Sequence, residues 1–164
     1  MQLMKHIPNF DKLLAKGNKA ECFGKKMRSV IKLVNADGIK DNIEQQFMMG
    51  KIIFSDGLIP ILEPEVDIMS PEKAEAEVIL KKSILQHLEN LGPNEQIMIK
   101  LSLPSVDNHY KEIIEHPNCI RIVALSGGYT RAEANKRLAR QKGMIASFSW
   151  ALTEGLKVSD MDEE

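Results

Sequence analysis

Apolar residues in this chain gather in short dense runs, and longer amphipathic stretches separate them. Five runs have strand character: CFGKKMRSVIKL, where Met27, Val30, Ile31 and Leu33 suit a buried strand and its continuation; LIPILEPEV; QIMIKLSLP; CIRIVAL; and MIASFS. Each is bounded by Gly, Pro or polar turn residues, the mark of a strand covered on both faces. The stretches between them predict helices. One covers Phe10 to Lys16 and ends near Gly17. In the next, Asp41 is placed to cap, Glu44 to complete the box, Ile43, Phe47 and Ile53 to form the apolar side, and Gly57 to close it. Ser70-Pro71-Glu72 starts a third, with Ala74, Val78, Ile84 and Leu88 as its stripe and Leu91-Gly92-Pro93 as its stop. DNHYKEIIEH is a short fourth. Thr130 and Glu133 cap a fifth that ends near Gly143, and WALTEGL begins another.

Strand and helix alternate throughout, which predicts an α/β fold with a parallel sheet covered by helices. Residues 1–164 read as a single domain without a linker, and the acidic run at 159–164 reads as a frayed tail. An open doubly wound sheet and part of a (β/α)8 barrel both fit. A complete barrel needs eight units and typically ~250 residues, so five consecutive βα units can form only a partial one.

Composition narrows the functional classes. The chain is 43% hydrophobic and 27% charged, with a net charge of -1. No bulk field would recruit nucleic acid or a membrane surface. The opening MQLMKHIPNF has no apolar core of a signal sequence, and no run is long enough to span a bilayer. Cys22 and Cys119 lie beside apolar residues without CxxC spacing and are expected as reduced, near-core thiols in a cytoplasmic protein. His6, His87, His109 and His116 show no zinc spacing, and no metal or other cofactor is expected.

Candidate chemistry collects near the C-terminal ends of the strands, where βα folds hold their ligands. Lys26 and Arg28 are two apart on the first strand and share a face, as do Glu63 and Glu65 on the second. Lys100 sits between Ile99 and Leu101 on the third; Ser126-Gly127-Gly128 follows the fourth; Ser147 and Ser149 end the fifth. An ammonium in an apolar strand interior is costly, which favours the neutral amine. A neutral amine attacks a ketone to form an iminium, the electron sink for breaking a carbon–carbon bond, with Glu63 placed to shuttle protons. The alternative, a strand-end lysine reaching to solvent, is the commoner fate for one strand taken alone. The Gly-Gly turn ahead of a capped helix suits a phosphate, although many such turns are only tight corners.

Taken together, GKKMRS, GLIPILEPEV, MIKLSLPS, ALSGGYTRAEAN and GMIASFSWAL resemble, in order and spacing, successive strand motifs of class I, Schiff-base fructose-bisphosphate aldolases of the shorter bacterial type. The likeness runs from QLMK to ALTEGL and corresponds to barrel strands four to eight. The resemblance implies reversible cleavage of fructose 1,6-bisphosphate to dihydroxyacetone phosphate and glyceraldehyde 3-phosphate, without a metal. It implies Lys100 as the Schiff-base lysine, Glu63 as the proton-transferring carboxylate and Lys26 as its assistant. Arg28, Ser126, Gly127, Gly128 and Ser147 would bind the sugar phosphate substrate.

Two departures from the family pattern shape the expectations. The aspartate that would take a hydroxyl proton during cleavage has no counterpart, and strands four to eight alone leave open edges and a bare inner face. Self-association, or pairing with a full-length aldolase chain, is therefore expected. The second departure is in the S-x-S-R-A-L motif, where the phosphate-gripping arginine is replaced by Trp150. An indole offers one donor and no charge. Trp150→Arg is expected to strengthen dihydroxyacetone phosphate binding by ~2 kcal/mol, roughly thirty-fold, as read by calorimetric titration.

Overall fold

A computed structural model describes residues 3–149. Ten elements alternate through it: α1 (Phe10–Lys19), β1 (Gly24–Ile31), α2 (Ala36–Ser55), β2 (Ile59–Val66), α3 (Lys73–Leu88), β3 (Ile97–Ser102), α4 (Lys111–Ile114), β4 (Cys119–Leu125), α5 (Arg131–Leu138) and β5 (Met144–Ala146). The strands form one parallel sheet in the order β1-β2-β3-β4-β5. That order decides between the two architectures. A doubly wound sheet reverses direction at a switch point and takes helices on both faces; here the order never reverses.

Side-chain alternation shows which face is covered. Met27, Ile31, Leu62, Val66, Ile99, Leu101, Ile122, Ala124 and Met144 share one face. They join a single apolar core with Leu14, Ile43, Phe47, Leu80, Ile84, Ile113 and Ala134 of the helices. The opposite face carries Lys26, Arg28, Glu63, Glu65, Lys100 and Ser102, and its β5 residue Ile145 is 48% exposed. Helices on one side and a polar concave side on the other make this a partial barrel. No helix among the described residues is long and apolar enough to cross a membrane.

Several local expectations need correction. α1 runs through Gly17 to Lys19. α2 starts at Ala36, capped by Asn35, whose side chain accepts from the Gly38 N–H at 2.7 Å; Asp41 lies inside the helix. Asparagine caps as well as aspartate does, and the earlier cap wins because it lengthens the helix over β1 and β2. α3 begins at Lys73 with no side-chain cap, so Ser70 does not cap it. Its buried face is Lys73, Ala76, Glu77, Leu80, Ser83, Ile84 and Leu88, whereas Ala74 and Val78 face solvent. Thr130 does cap α5, accepting from the Glu133 N–H, but the Glu133 carboxylate accepts from Arg137 Nε at 2.7 Å instead of closing the box. WALTEGL, Trp150 and the acidic tail lie outside the described residues.

Of the cysteines, Cys22 is exposed in the turn after α1, contrary to expectation, and Cys119 is buried. Burial pushes the Cys119 thiol up from its ordinary 9.0 to about 11. The folded state thus holds its proton more firmly than the unfolded one. That contribution is intact below pH 9 and is lost as pH rises to about 11. Cys119→Val is expected to flatten the alkaline decline of the urea midpoint relative to the parent chain over this window.

Candidate active site

On the concave face, β1 and β2 pair from Gly24–Ile59 to Ile31–Val66, which sets Arg28 opposite Glu63 and Val30 opposite Glu65. The cationic side chains lean one pair further along. Lys26 Nζ meets Glu63 Oε2 in an ion pair, and Arg28 Nε donates to Glu65 Oε2 at 2.8 Å. This bond and the Glu65 charge raise the Arg28 pKa further above its ordinary value, against a smaller opposing effect of burial. From the other side, Lys100 Nζ on β3 lies 3.5 Å from Glu63 Oε1. The Glu63 side chain is 4% exposed and that of Lys100 12%, so one buried carboxylate is shared by two amines from strands on either side.

The opposite wall comes from β4 and β5. Ser126 is buried at the end of β4, and Gly127 and Gly128 turn away from it with φ of 61° and 105°, closed by a Tyr129 N–H to Ser126 carbonyl bond of 3.0 Å. Ser147 is held beside this turn by its N–H, which donates to the Ala124 carbonyl at 2.8 Å. These groups line an open cleft of about 550 Å³ together with Lys26, Arg28, Glu63 and Lys100. All ten residues singled out from the sequence, Glu65 and Ser149 among them, line that cleft, and Leu125 lines it as well.

Lys100 is not the solvent-facing strand end of the alternative reading. The sequence offers Glu65 no evident partner, which the structure supplies in Arg28, and nothing in it marks Leu125 as a cleft residue. No group of three or more His, Cys, Asp or Glu residues is arranged to hold a metal among the described residues.

Lys100 thus stands against a buried carboxylate in the cleft that the Ser126-Gly127-Gly128 turn also lines. Sequence comparison gives that arrangement a family. The chain is 56% identical over 164 residues to the class 1 fructose-bisphosphate aldolase of Porphyromonas gingivalis. It is 54% identical over 163 residues to that of Synechocystis and 49% over 164 residues to that of Clostridium acetobutylicum. This sequence resembles class 1 fructose-bisphosphate aldolases from end to end. It covers all or nearly all of itself in these matches but only 55%, 54% and 56% of the three relatives, so the chain spans about half their length. No protein-family model matches it.

The glycine turn leaves no room for a side chain at Gly127. A Cβ on Gly127 would lie 2.8 Å from Ile68 Cγ2 and 3.2 Å from Leu125 Cδ1, whereas one on Gly57, also at positive φ, would meet nothing. Gly57→Ala is expected to show only the left-handed strain, about 1–2 kcal/mol. Gly127→Ala is expected to lose measurably more in urea unfolding, the excess reporting the Ile68 contact.

Proposed function

We propose that this chain carries the Schiff-base site of a class I fructose-bisphosphate aldolase, which reversibly cleaves fructose 1,6-bisphosphate to dihydroxyacetone phosphate and glyceraldehyde 3-phosphate. The observation that carries this reading is the position of Lys100 Nζ, 3.5 Å from Glu63 Oε1 in a cleft closed by Ser126-Gly127-Gly128. The resemblance to the aldolases agrees with it.

In this reading Lys100 passes a proton to Glu63 and its nitrogen lone pair attacks the C2 ketone. A proton then moves from the attacking nitrogen to the carbonyl oxygen, which becomes the carbinolamine hydroxyl. Glu63 then protonates that hydroxyl, water leaves, and the nitrogen lone pair forms the iminium. When the C3–C4 bond breaks, its electrons move into the iminium to give an enamine, and a base takes the C4 hydroxyl proton as the aldehyde departs. Once the aldehyde has gone, the base passes the C4 hydroxyl proton to Glu63, Glu63 delivers it to C3 to restore the iminium, and water adds to that iminium to release the ketone and free Lys100. Lys26, paired with the other Glu63 oxygen, steadies the carboxylate through these transfers. Arg28 and the Ser126-Gly127-Gly128 turn, with Ser147, hold the phosphates of the sugar. No metal enters the scheme.

A second reading concerns assembly, and the bare side of the sheet favours it. β1 and β5 are the outer strands of the described sheet. A groove of about 850 Å³ runs along β1 past Leu3, Met4, Arg28, Val30 and Leu33. Unpaired strand edges invite further strands. The chain would then act in association with a full-length aldolase chain, which would also bring the base for the C4 hydroxyl.

Borohydride reduction with dihydroxyacetone phosphate present should leave a covalent adduct on the Lys100 peptide, found by mass spectrometry. Lys100→Met should abolish it, and Glu63→Gln should slow its formation by about a hundredfold. Labelling of another lysine, or an undiminished adduct in Lys100→Met, would refute the scheme.

A further inference from the structure

The ladder that holds Glu63 next to Lys100 is interrupted where the two residues need it most. β1 and β2 pair along their whole length, but β2 and β3 pair only at Ile61–Met98 and Leu62–Ile99. The backbone explains the interruption. The Ile59 N–H donates to Phe23 and the Asp67 N–H to Ile31, so odd-numbered positions of β2 face β1 and even-numbered ones face β3. The next β3-facing position after Leu62 is Pro64, which has no N–H to donate. Carried forward in the same register, the residue that would donate to the Val66 carbonyl is 104, which is also proline. Two rungs are thus missing just beyond the carboxylate.

A side chain fills the gap. Ser102, on the same face as Lys100 and two residues after it, is 1% exposed, and its hydroxyl donates to the Val66 carbonyl at 2.6 Å. We infer that Ser102 is a positioning residue: its hydroxyl stands in for the lost rung and sets the separation of Glu63 from Lys100. Its chemical consequence rests on the Schiff-base reading above; its geometric content does not. Without the hydroxyl, the Val66 carbonyl loses this bond to β3, and Glu63 stays with Lys26 on the fully paired β1 side.

Zero-length carbodiimide coupling tests this on the full chain, because it joins a carboxylate to an amine only when the two touch. In the parent protein Glu63 should couple to both Lys26 and Lys100, and peptide mass spectrometry gives the ratio. Ser102→Ala should lower the Lys100 product relative to the Lys26 product by about tenfold. Ser102→Thr, which keeps the hydroxyl, should restore it. If the alanine variant does not fold, Ser102→Cys, a weaker donor of similar size, should give an intermediate ratio. A merely structural serine would lower stability and leave the ratio alone, and an unchanged ratio overturns the inference. Borohydride trapping on the same variants reads the chemistry separately. Should the parent chain couple Glu63 to Lys100 and yet trap no adduct, the Schiff-base reading fails, and the coupling ratio still decides the role of Ser102.

Discussion

One buried carboxylate organises the concave side of this sheet. Glu63 is almost wholly withdrawn from water, and a buried carboxylate without partners would be costly enough to disrupt the strand that carries it. Its partners are lysines on the two neighbouring strands, Lys26 on β1 and Lys100 on β3. The arrangement holds only while three parallel strands keep their register, because a slip of one residue would turn each of these side chains into the apolar core. Chemistry and sheet pairing therefore constrain each other at the same residues.

The polar concave face is the reason the other face must supply the cohesion. Among the described residues, every helix packs against the side bearing Leu62, Ile99 and Ile122, and none covers the cleft. Behind β3 the packing is reinforced by a second buried ion pair, Lys73 with Glu77. Lys73 also donates to the Leu103 carbonyl at 2.8 Å, and Glu77 accepts from the Ser105 N–H at 2.9 Å. Burial lowers the Lys73 pKa, with Glu77 acting in the opposite direction. The segment that follows Lys100 is thus held from the helix side at residues 103–105 and from the concave side at Ser102.

The strands were legible in the sequence because they are short runs dense in apolar residues, bounded by Gly, Pro or polar residues. CIRIVAL is β4 residue for residue, and LIPILEPEV and QIMIKLSLP contain β2 and β3. Helix starts were harder to read. Asn35 and Asp41 are equally good caps in isolation, and only the contact of α2 with the sheet selects the earlier one. The α3 stripe was misplaced because Lys73 and Glu77, which look like solvent residues, neutralise each other in the interior. Ser102 went unnoticed since a serine beside a lysine says nothing until the carbonyl opposite is known.

By itself, the sequence determined that five βα units form a parallel sheet and which residues share a face. These follow from local periodicity, since side chains alternate along any strand. The sequence set Lys26, Arg28, Glu63 and Lys100 too near the strand ends, however: Lys26 is the third residue of β1, and the others lie mid-strand. Only the tertiary structure decided that the strand order never reverses, that one carboxylate serves two lysines, and that a hydroxyl replaces the rungs lost to Pro64 and Pro104. Those depend on which strands are neighbours and in what register, a relation between distant segments that no local pattern encodes.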